Sequence, residues 1–279
     1  MDIAVGIINW NSGHWLKDCI ESLLATSDVA EIAVIDNASS DASLESTGGI
    51  GDRVHFIRNS SNLGFAGGVN QAFAATSSPY VLILNPDIGV PPGVVDRLRG
   101  FLDDHPKAAA IGGHVGGTYL PRRLPTTRSL ILENIGLARP AAAPEGGEPY
   151  EVEQPAAAAL MIRRAAFQEI GGFDPRFHPA WYEDVDFCKQ LKTAGWRIYF
   201  DPSARFMHEG GYSAMKLGSA GFAEAYYRNQ LRYVRKHMSA AAGVAIRCSI
   251  AAGMVARSIA APASIGANWP VLIGALGKW

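Results

Sequence analysis

Along the first 106 residues, short β-branched apolar runs alternate with stretches of helical periodicity, and the runs end on polar residues. DIAVGIIN (2–9), EIAVIDNASSD (31–41), RVHFIRN (53–59) and YVLILNPD (80–87) read as strands. SGHWLKDCIESLLATS (12–27), GFAGGVNQAFAAT (64–76) and PGVVDRLRGFLDDHP (92–106) read as helices, the last with Pro92 near its start and Pro106 beyond its end. Strands alternating with helices predict an α/β fold with a mainly parallel sheet flanked by helices. The polar residues Asn9, Asp36, Asn59, Asn62, Asn85 and Asp87 gather where the strands end. In an open α/β sheet that edge builds the ligand crevice. Asn and Asp are common in any turn, but several strand ends with the same chemistry favour a site.

Composition narrows the function classes. A formal charge of -1 gives no electrostatic case for a nucleic-acid binder. With 48% apolar and 18% charged residues, a packed core is expected. Cys19, Cys188 and Cys248 are too scattered for a disulfide framework or a cysteine zinc site, and suggest a reducing compartment. The opening MDIAVGIINW lacks a basic region, so a signal peptide is not expected. No Gly-x-Gly-x-x-Gly follows the first strand and no P-loop occurs, which disfavours a dinucleotide oxidoreductase and a P-loop enzyme.

Residues 117–155 read as a long variable loop, with three arginines early and a Pro/Gly/Glu-rich second half. ALMIRRAAFQEIGGFD (159–174) predicts a strand and a short helix closed by Gly171-Gly172. WYEDVDFCKQLKTAGW (181–196) puts Val185, Cys188 and Leu191 on one helical face, and RIYFDP (197–202) reads as a strand. GFAEAYYRNQLRYVRKH (221–237) predicts an amphipathic helix with Phe222, Ala225, Tyr226, Leu231 and Tyr233 inward. Residues 239–279 form an apolar, acid-free helical extension; its longest charge-free stretch, 258–277, is interrupted by Pro262, Pro270, Asn268 and three glycines, which is poor for a spanning helix. It is expected either to touch a membrane surface or to pack on the domain or a partner.

Three features distant in sequence could meet in one crevice: Asn85-Pro86-Asp87, Glu183-Asp184-Val185-Asp186 and His208. A sugar-nucleotide reaction releases a diphosphate with growing negative charge, which a divalent cation neutralises. Mn²⁺ or Mg²⁺ suits carboxylate and phosphate oxygens, and Mn²⁺ also accepts an imidazole, so Asp87 and His208 are candidate ligands. The attacking hydroxyl must lose a proton, and Glu183 or Asp184 could take it. Acidic residues are also favoured at a helix start by the macrodipole alone.

GIINWNS, VIDNASSD, NLGFAGGVNQAF, LILNPD, ALMIRRAAFQEIGGFDPRF, WYEDVDFCKQLKTAGWRIYFDPSARFMHEGG and YYRNQLRYVRKH, in that order, resemble glycosyltransferase family 2, in its rhamnosyltransferase-like subgroup. The resemblance implies a GT-A domain over residues 1–238 and leaves 239–279 outside it. It implies an inverting, metal-dependent transfer of a sugar, with a leaning to rhamnose, from a nucleotide-diphospho sugar. The acceptor is a hydroxyl of a saccharide or lipid-linked saccharide in cell-surface polysaccharide synthesis. Beside the resemblance, the acid-free tail and Arg122, Arg123 and Arg128 suggest a cytoplasmic setting near an anionic membrane surface, with peripheral contact through the C-terminal segment as one of its two expected roles. Asn9, Asn11, Asp36, Asn62 and Gly64 match donor-binding positions. Asn85-x-Asp87 stands at the Asp-x-Asp motif, giving a sugar or ribose contact to Asn85 and the metal to Asp87, with His208 as second ligand. Glu183-Asp184 matches the pair that supplies the base, with Asp184 favoured. EQPAAA (153–158) departs from the Trp and Gly that many members carry there, and no Gln-x-x-Arg-Trp motif marks a processive polymerase. The alternatives are an inactive GT-A-like scaffold and a sugar nucleotidyltransferase.

Overall fold

In a computed structural model describing residues 3–26, 29–48, 50–116, 119–138, 146–208 and 218–279, strand β1 (Ile3–Asn9) is buried at every position. A strand covered on both faces reads as an unbroken apolar run, which is why 3–8 carries no polar residue. Parallel strands β2 (Val29–Asp36) and β4 (Tyr80–Leu84) flank it, with β3 (Val54–Arg58) outside β2. Beyond β4 the sheet turns mixed. Strand β8 (Ala159–Arg163) runs antiparallel to both β4 and β6 (Ala108–His114). Strand β9 (Arg197–Arg205) is parallel to β6, and β7 (Tyr150–Val152) closes the edge antiparallel to β9. The order is β3-β2-β1-β4-β8-β6-β9-β7.

The two-residue period of the strands sorts the core into two layers. Ile3, Val5, Ile7, Leu82 and Leu84 join one layer with Leu16, Ile20 and Leu23 of α1 (Trp15–Leu24) and Leu98 and Leu102 of α3 (Val94–Asp104). Ala4, Ile8, Val81 and Ile83 join the other with Val69 and Phe73 of α2 (Gly64–Ala75), Phe167 of α5 (Arg164–Glu169) and Phe187 and Leu191 of α6 (Glu183–Thr193). Gly6 faces α2 so closely that a Cβ there would lie 2.6 Å from the Cβ of Ala72. Glycine at that position lets α2 lie directly on β1 and brings its first turn to the strand ends.

A third core lies beside the sheet. Leu130 of α4 (Thr127–Asn134), Leu231, Tyr233 and Val234 of α7 (Gly218–His237), Ile246, Ile250 and Met254 of α8 (Ala240–Ala260) and Val271 of α9 (Ile265–Ile273) pack with Tyr182 and Val185. Segment 117–155 therefore differs from the single loop expected from composition. Its described part carries β7 and also α4, which Thr126 starts through a reciprocal cap with Ser129. Phe222 of α7 also differs from expectation: it is 39% exposed and stacks edge-on against Trp181.

Candidate active site

The end of β1 is built to hold the end of β2. Asn9 is fully buried, and its amide nitrogen donates to Asp36 Oδ1 at 2.8 Å, with the hydroxyls of Ser39 and Ser43 at 3.1 and 3.0 Å. Its side-chain oxygen accepts from Ser12. Asp36 also accepts from the Ser39 N–H at 3.2 Å. Asn11, with φ of 52°, accepts from Ser40 N–H at 2.7 Å, and Asp41 accepts from Gly13 N–H at 2.8 Å. Two loops far apart in sequence are thus locked together. Asn9 and Asn11 do this by bonding to protein groups, and neither lines the cavity beside them.

That cavity, about 270 Å³, opens where β1, β2 and β4 end. Ile8, Trp10, Asn37, Asn62 and Phe65 line one side; Asn85, Pro86, Asp87 and Tyr119 line another; Ala156–Ala158, Pro179–Trp181, Glu183 and Asp184 complete it. Asn62 accepts from the Gly64 N–H at 2.8 Å, opening α2. Gly64 has φ of +76°, and a Cβ would lie 2.8 Å from the Pro179 carbonyl oxygen, so only glycine suits this turn. The Phe65 N–H then donates to the same carbonyl at 2.8 Å, stitching α2 to the 178–181 wall.

Asp87 does not cap α3, which begins at Val94. It is 8% exposed and immediately precedes β5 (Ile88–Gly89). Strand β5 pairs antiparallel with β10 (Met207–His208), and the register sets His208 opposite Ile88. The backbone thus brings His208 beside the Asp87 corner across more than a hundred residues. The Asp87 carboxylate lines the cavity; as an oxygen donor it suits Mn²⁺ or Mg²⁺, and an imidazole at position 208 would suit Mn²⁺. Among the described residues no three His, Cys, Asp or Glu side chains are grouped as a metal site, so such an ion would need phosphate oxygens and water as well.

The acidic motif divides along the helix. Residues 183–186 open α6, and successive side chains point about 100° apart. Glu183 and Asp184 line the cavity, whereas Asp186 is fully buried against α7. There it meets Lys236 Nζ at 2.8 Å and His237 Nε2 at 2.6 Å, anchoring the two helices. Two residues in left-handed conformation, Trp181 (φ 72°) and Tyr182 (φ 70°), lead into the pair. Backbone strain of this kind gathers at functional sites. Asp184 Oδ1 accepts from the Val185 N–H at 2.8 Å, and Oδ2 accepts from Gln154 Nε2 at 3.0 Å. Burial pushes its carboxyl above the ordinary range, while the Val185 and Gln154 bonds and the nearby Arg122 charge pull it back. Glu183 has less help, only from its own backbone N–H. Its Oε2 is buried without a hydrogen-bond partner, and burial, then the neighbouring Asp184 charge, push it well above the usual carboxylate value. The two carboxyls are therefore unequal: Glu183 is pushed further toward its neutral form than Asp184.

The family model for glycosyl transferase family 2 matches residues 4–171, more than half of the chain. The chain belongs to glycosyl transferase family 2. Over 237 residues this glycosyltransferase is 28% identical to the N-acetylglucosaminyl-diphospho-decaprenol L-rhamnosyltransferase of Mycobacterium tuberculosis, covering 76% of this chain and 77% of that protein. Its fold is that of GT-A enzymes. A mannosyltransferase from Pyrobaculum calidifontis in complex with GDP-Man and Mn²⁺ superposes with a TM-score of 0.62 at 12% identity, over 99% of this chain and 87% of the other. GalNAc-T7 with UDP, GalNAc and Mn²⁺ superposes with 0.64 at 18% identity, over 84% of this chain but about half, 48%, of its own.

Of the expected site residues, Asn62, Asn85, Asp87, Glu183 and Asp184 share the cavity, with Gly64 shaping its turn. Asn9, Asn11 and Asp36 stand behind it as a supporting network. Asn37, Tyr119, Gln154 and Trp181 were not assigned roles from sequence. Asn37 sits inside VIDNASSD and was legible there, whereas Gln154 reaches Asp184 only through the bridge that pairs its backbone with Arg122.

Proposed function

We propose that this glycosyltransferase moves a sugar, rhamnose in the first instance, from a nucleotide-diphospho donor to a hydroxyl of a lipid-linked saccharide, with inversion. What carries the reading is that Asn85 and Asp87 on one side and Glu183 and Asp184 on the other line one cavity. Asp184 takes the proton of the acceptor hydroxyl as that oxygen attacks the anomeric carbon. The new C–O bond forms as the bond to the diphosphate breaks on the opposite face, and the diphosphate leaves with the electron pair. Asp87 and His208 are the residues that would hold Mn²⁺ or Mg²⁺, which when bound neutralises charge growing on the leaving group. Asn85 contacts the ribose or sugar, and Asp36, bonded to Asn9 and Ser39, holds the loop behind the cavity in place. Likeness to the mycobacterial N-acetylglucosaminyl-diphospho-decaprenol L-rhamnosyltransferase supports rhamnose and a lipid-linked acceptor.

The test is a panel of nucleotide sugars read by thermal shift with Mn²⁺, followed by transfer assays. A donor at about a hundred times its Kd stabilises by roughly 2.7 kcal/mol. Asp184→Asn should keep that shift and lose transfer by about 10²- to 10⁴-fold. Asp87→Ala should weaken the donor shift in a way that chelator abolishes in the wild type. Absence of any donor shift, or wild-type transfer by Asp184→Asn, overturns the reading.

A further inference from the structure

Helix α8 buries Ile246, Ser249, Ile250, Gly253 and Met254 against its neighbours. Its other side carries Ala241, Val244, Cys248, Ala252, Val255 and Ile259, all exposed, each three or four residues after the last. That spacing is a single helical stripe, the one on which a water-facing helix sets its charges. Here it holds none. Helix α9 repeats the inversion: Ile265, Trp269 and Ile273 are exposed, and Leu276 continues the row. Ile259 is 76% exposed, Leu276 69% and Trp269 58%. Isolated apolar residues on a surface are ordinary, but two touching helices that share the pattern mark a contact surface.

Charge selects the partner. The first 224 residues hold 18 basic and 26 acidic side chains, and residues 225–279 hold seven and none. The stripe itself is uncharged, but residues 218–279, which carry α7, α8 and α9, hold seven basic side chains against one acidic, so a second copy would set two basic layers face to face, which disfavours self-association. An anionic lipid surface is complementary to it, and tryptophan is a side chain enriched at headgroup depth. The arginines of α8 leave the stripe clear. Arg247 donates to the Ala275 carbonyl at 2.7 Å, and Arg257 to the Asn134 carbonyl and Tyr227 hydroxyl at 3.1 Å each. Among the described residues α8 is the one helix long and apolar enough to cross a bilayer, yet its inner side is committed to α4, α7 and α9. A helix so packed lies along a surface rather than through it.

We propose that the outer face of α8 and α9 docks on an anionic bilayer, with Val244, Val255, Ile259, Ile265, Trp269 and Leu276 at the headgroup–acyl boundary. Helix α7 links this face to the active site. It packs on α8 and α9, its Asn229 amide donates to the Ala180 carbonyl at 2.8 Å, and its Phe222 meets Trp181 edge to face. Docking would hold the Pro179–Trp181 wall of the cavity close to the lipid, where a lipid-linked acceptor presents its saccharide; that last step alone rests on the function proposed above.

The test is sedimentation of the full chain with phosphatidylcholine vesicles, with and without about one-third phosphatidylglycerol. The wild type should pellet with the anionic vesicles and much less with neutral ones. A Val255→Glu/Ile259→Glu variant should lose binding by about tenfold or more while keeping its circular dichroism and melting temperature. Should that variant fail to fold, Trp269→Phe provides the second measurement, by removing a vesicle-induced blue shift in emission. Wild type left in the supernatant with both vesicles, or undiminished pelleting of the double variant with an unchanged emission shift in Trp269→Phe, overturns the proposal. So does a lipid-free dimer that the double variant dissociates without any vesicle binding, which would make a second copy the occupant. Vesicle binding reads no chemistry, so docking can fail while transfer stands, and the reverse.

Discussion

Gln154→Leu should shift the acidic limb of the pH–rate profile upward without changing donor affinity. The Gln154 amide donates to Asp184 Oδ2 at 3.0 Å, and this residue is 8% exposed. A hydrogen bond to a charged group contributes about 1.5–3 kcal/mol when water cannot replace it. Asp184 is half-buried and opens on a cavity, so water recovers part of this, leaving about 1.4 kcal/mol. One pKa unit corresponds to about 1.36 kcal/mol, so the base should titrate about one unit higher. The sign follows from which form is bonded: the amide stabilises the carboxylate, and its loss favours the acid. Gln154→Glu should move the limb further, because it sets a second anion against the first. The backbone bridge is kept in both, with Arg122 N–H to Gln154 O at 2.8 Å and the return bond at 3.1 Å. The assay is kcat/KM for transfer against pH, with donor affinity measured in parallel by thermal shift. At pH well above the limb all three proteins should converge. A uniform loss of rate with the limb unmoved would show that Asp184 is not the titrating base.

Glu183→Gln should raise the melting temperature near pH 7 and leave it little changed near pH 4. The folded pKa of Glu183 lies above its unfolded value, so the unfolded chain ionises first, and stability is lost as pH rises beyond about 4.3. A melting temperature unchanged at both pH values would mean that Glu183 is not held in its acid form. Gly253→Ala should destabilise the fold by about 1–3 kcal/mol, because its Cβ would meet the Asn134 carbonyl where α8 crosses α4. Urea denaturation checks this, and an unchanged midpoint would mean that α4 does not pack there.

Local chemistry made much of this protein readable. The unbroken apolar runs of β1 and β4 announce strands covered on both faces, and the polar residue ending each run marks the cavity edge. Family 2 motifs named Asp87, Glu183 and Asp184, and all three reach one cavity. The Glu-Asp-Val-Asp run could not reveal its own division of labour. Which carboxylate faces the cavity and which faces Lys236 and His237 depends on where α7 returns, fifty residues later.

Sequence by itself determined the alternation of strand and helix, the two-faced burial of the sheet and the stock of acidic and amide side chains at its strand ends. These follow from side-chain period and local backbone preference, which a short segment carries within itself. Tertiary structure alone decided that β8 enters antiparallel, that β10 carries His208 back to Asp87, that Gln154 bonds Asp184, and that the stripes of α8 and α9 face outward. Those are pairings between segments distant along the chain. Their free energy depends on what each surface meets, and no local window of sequence contains that partner.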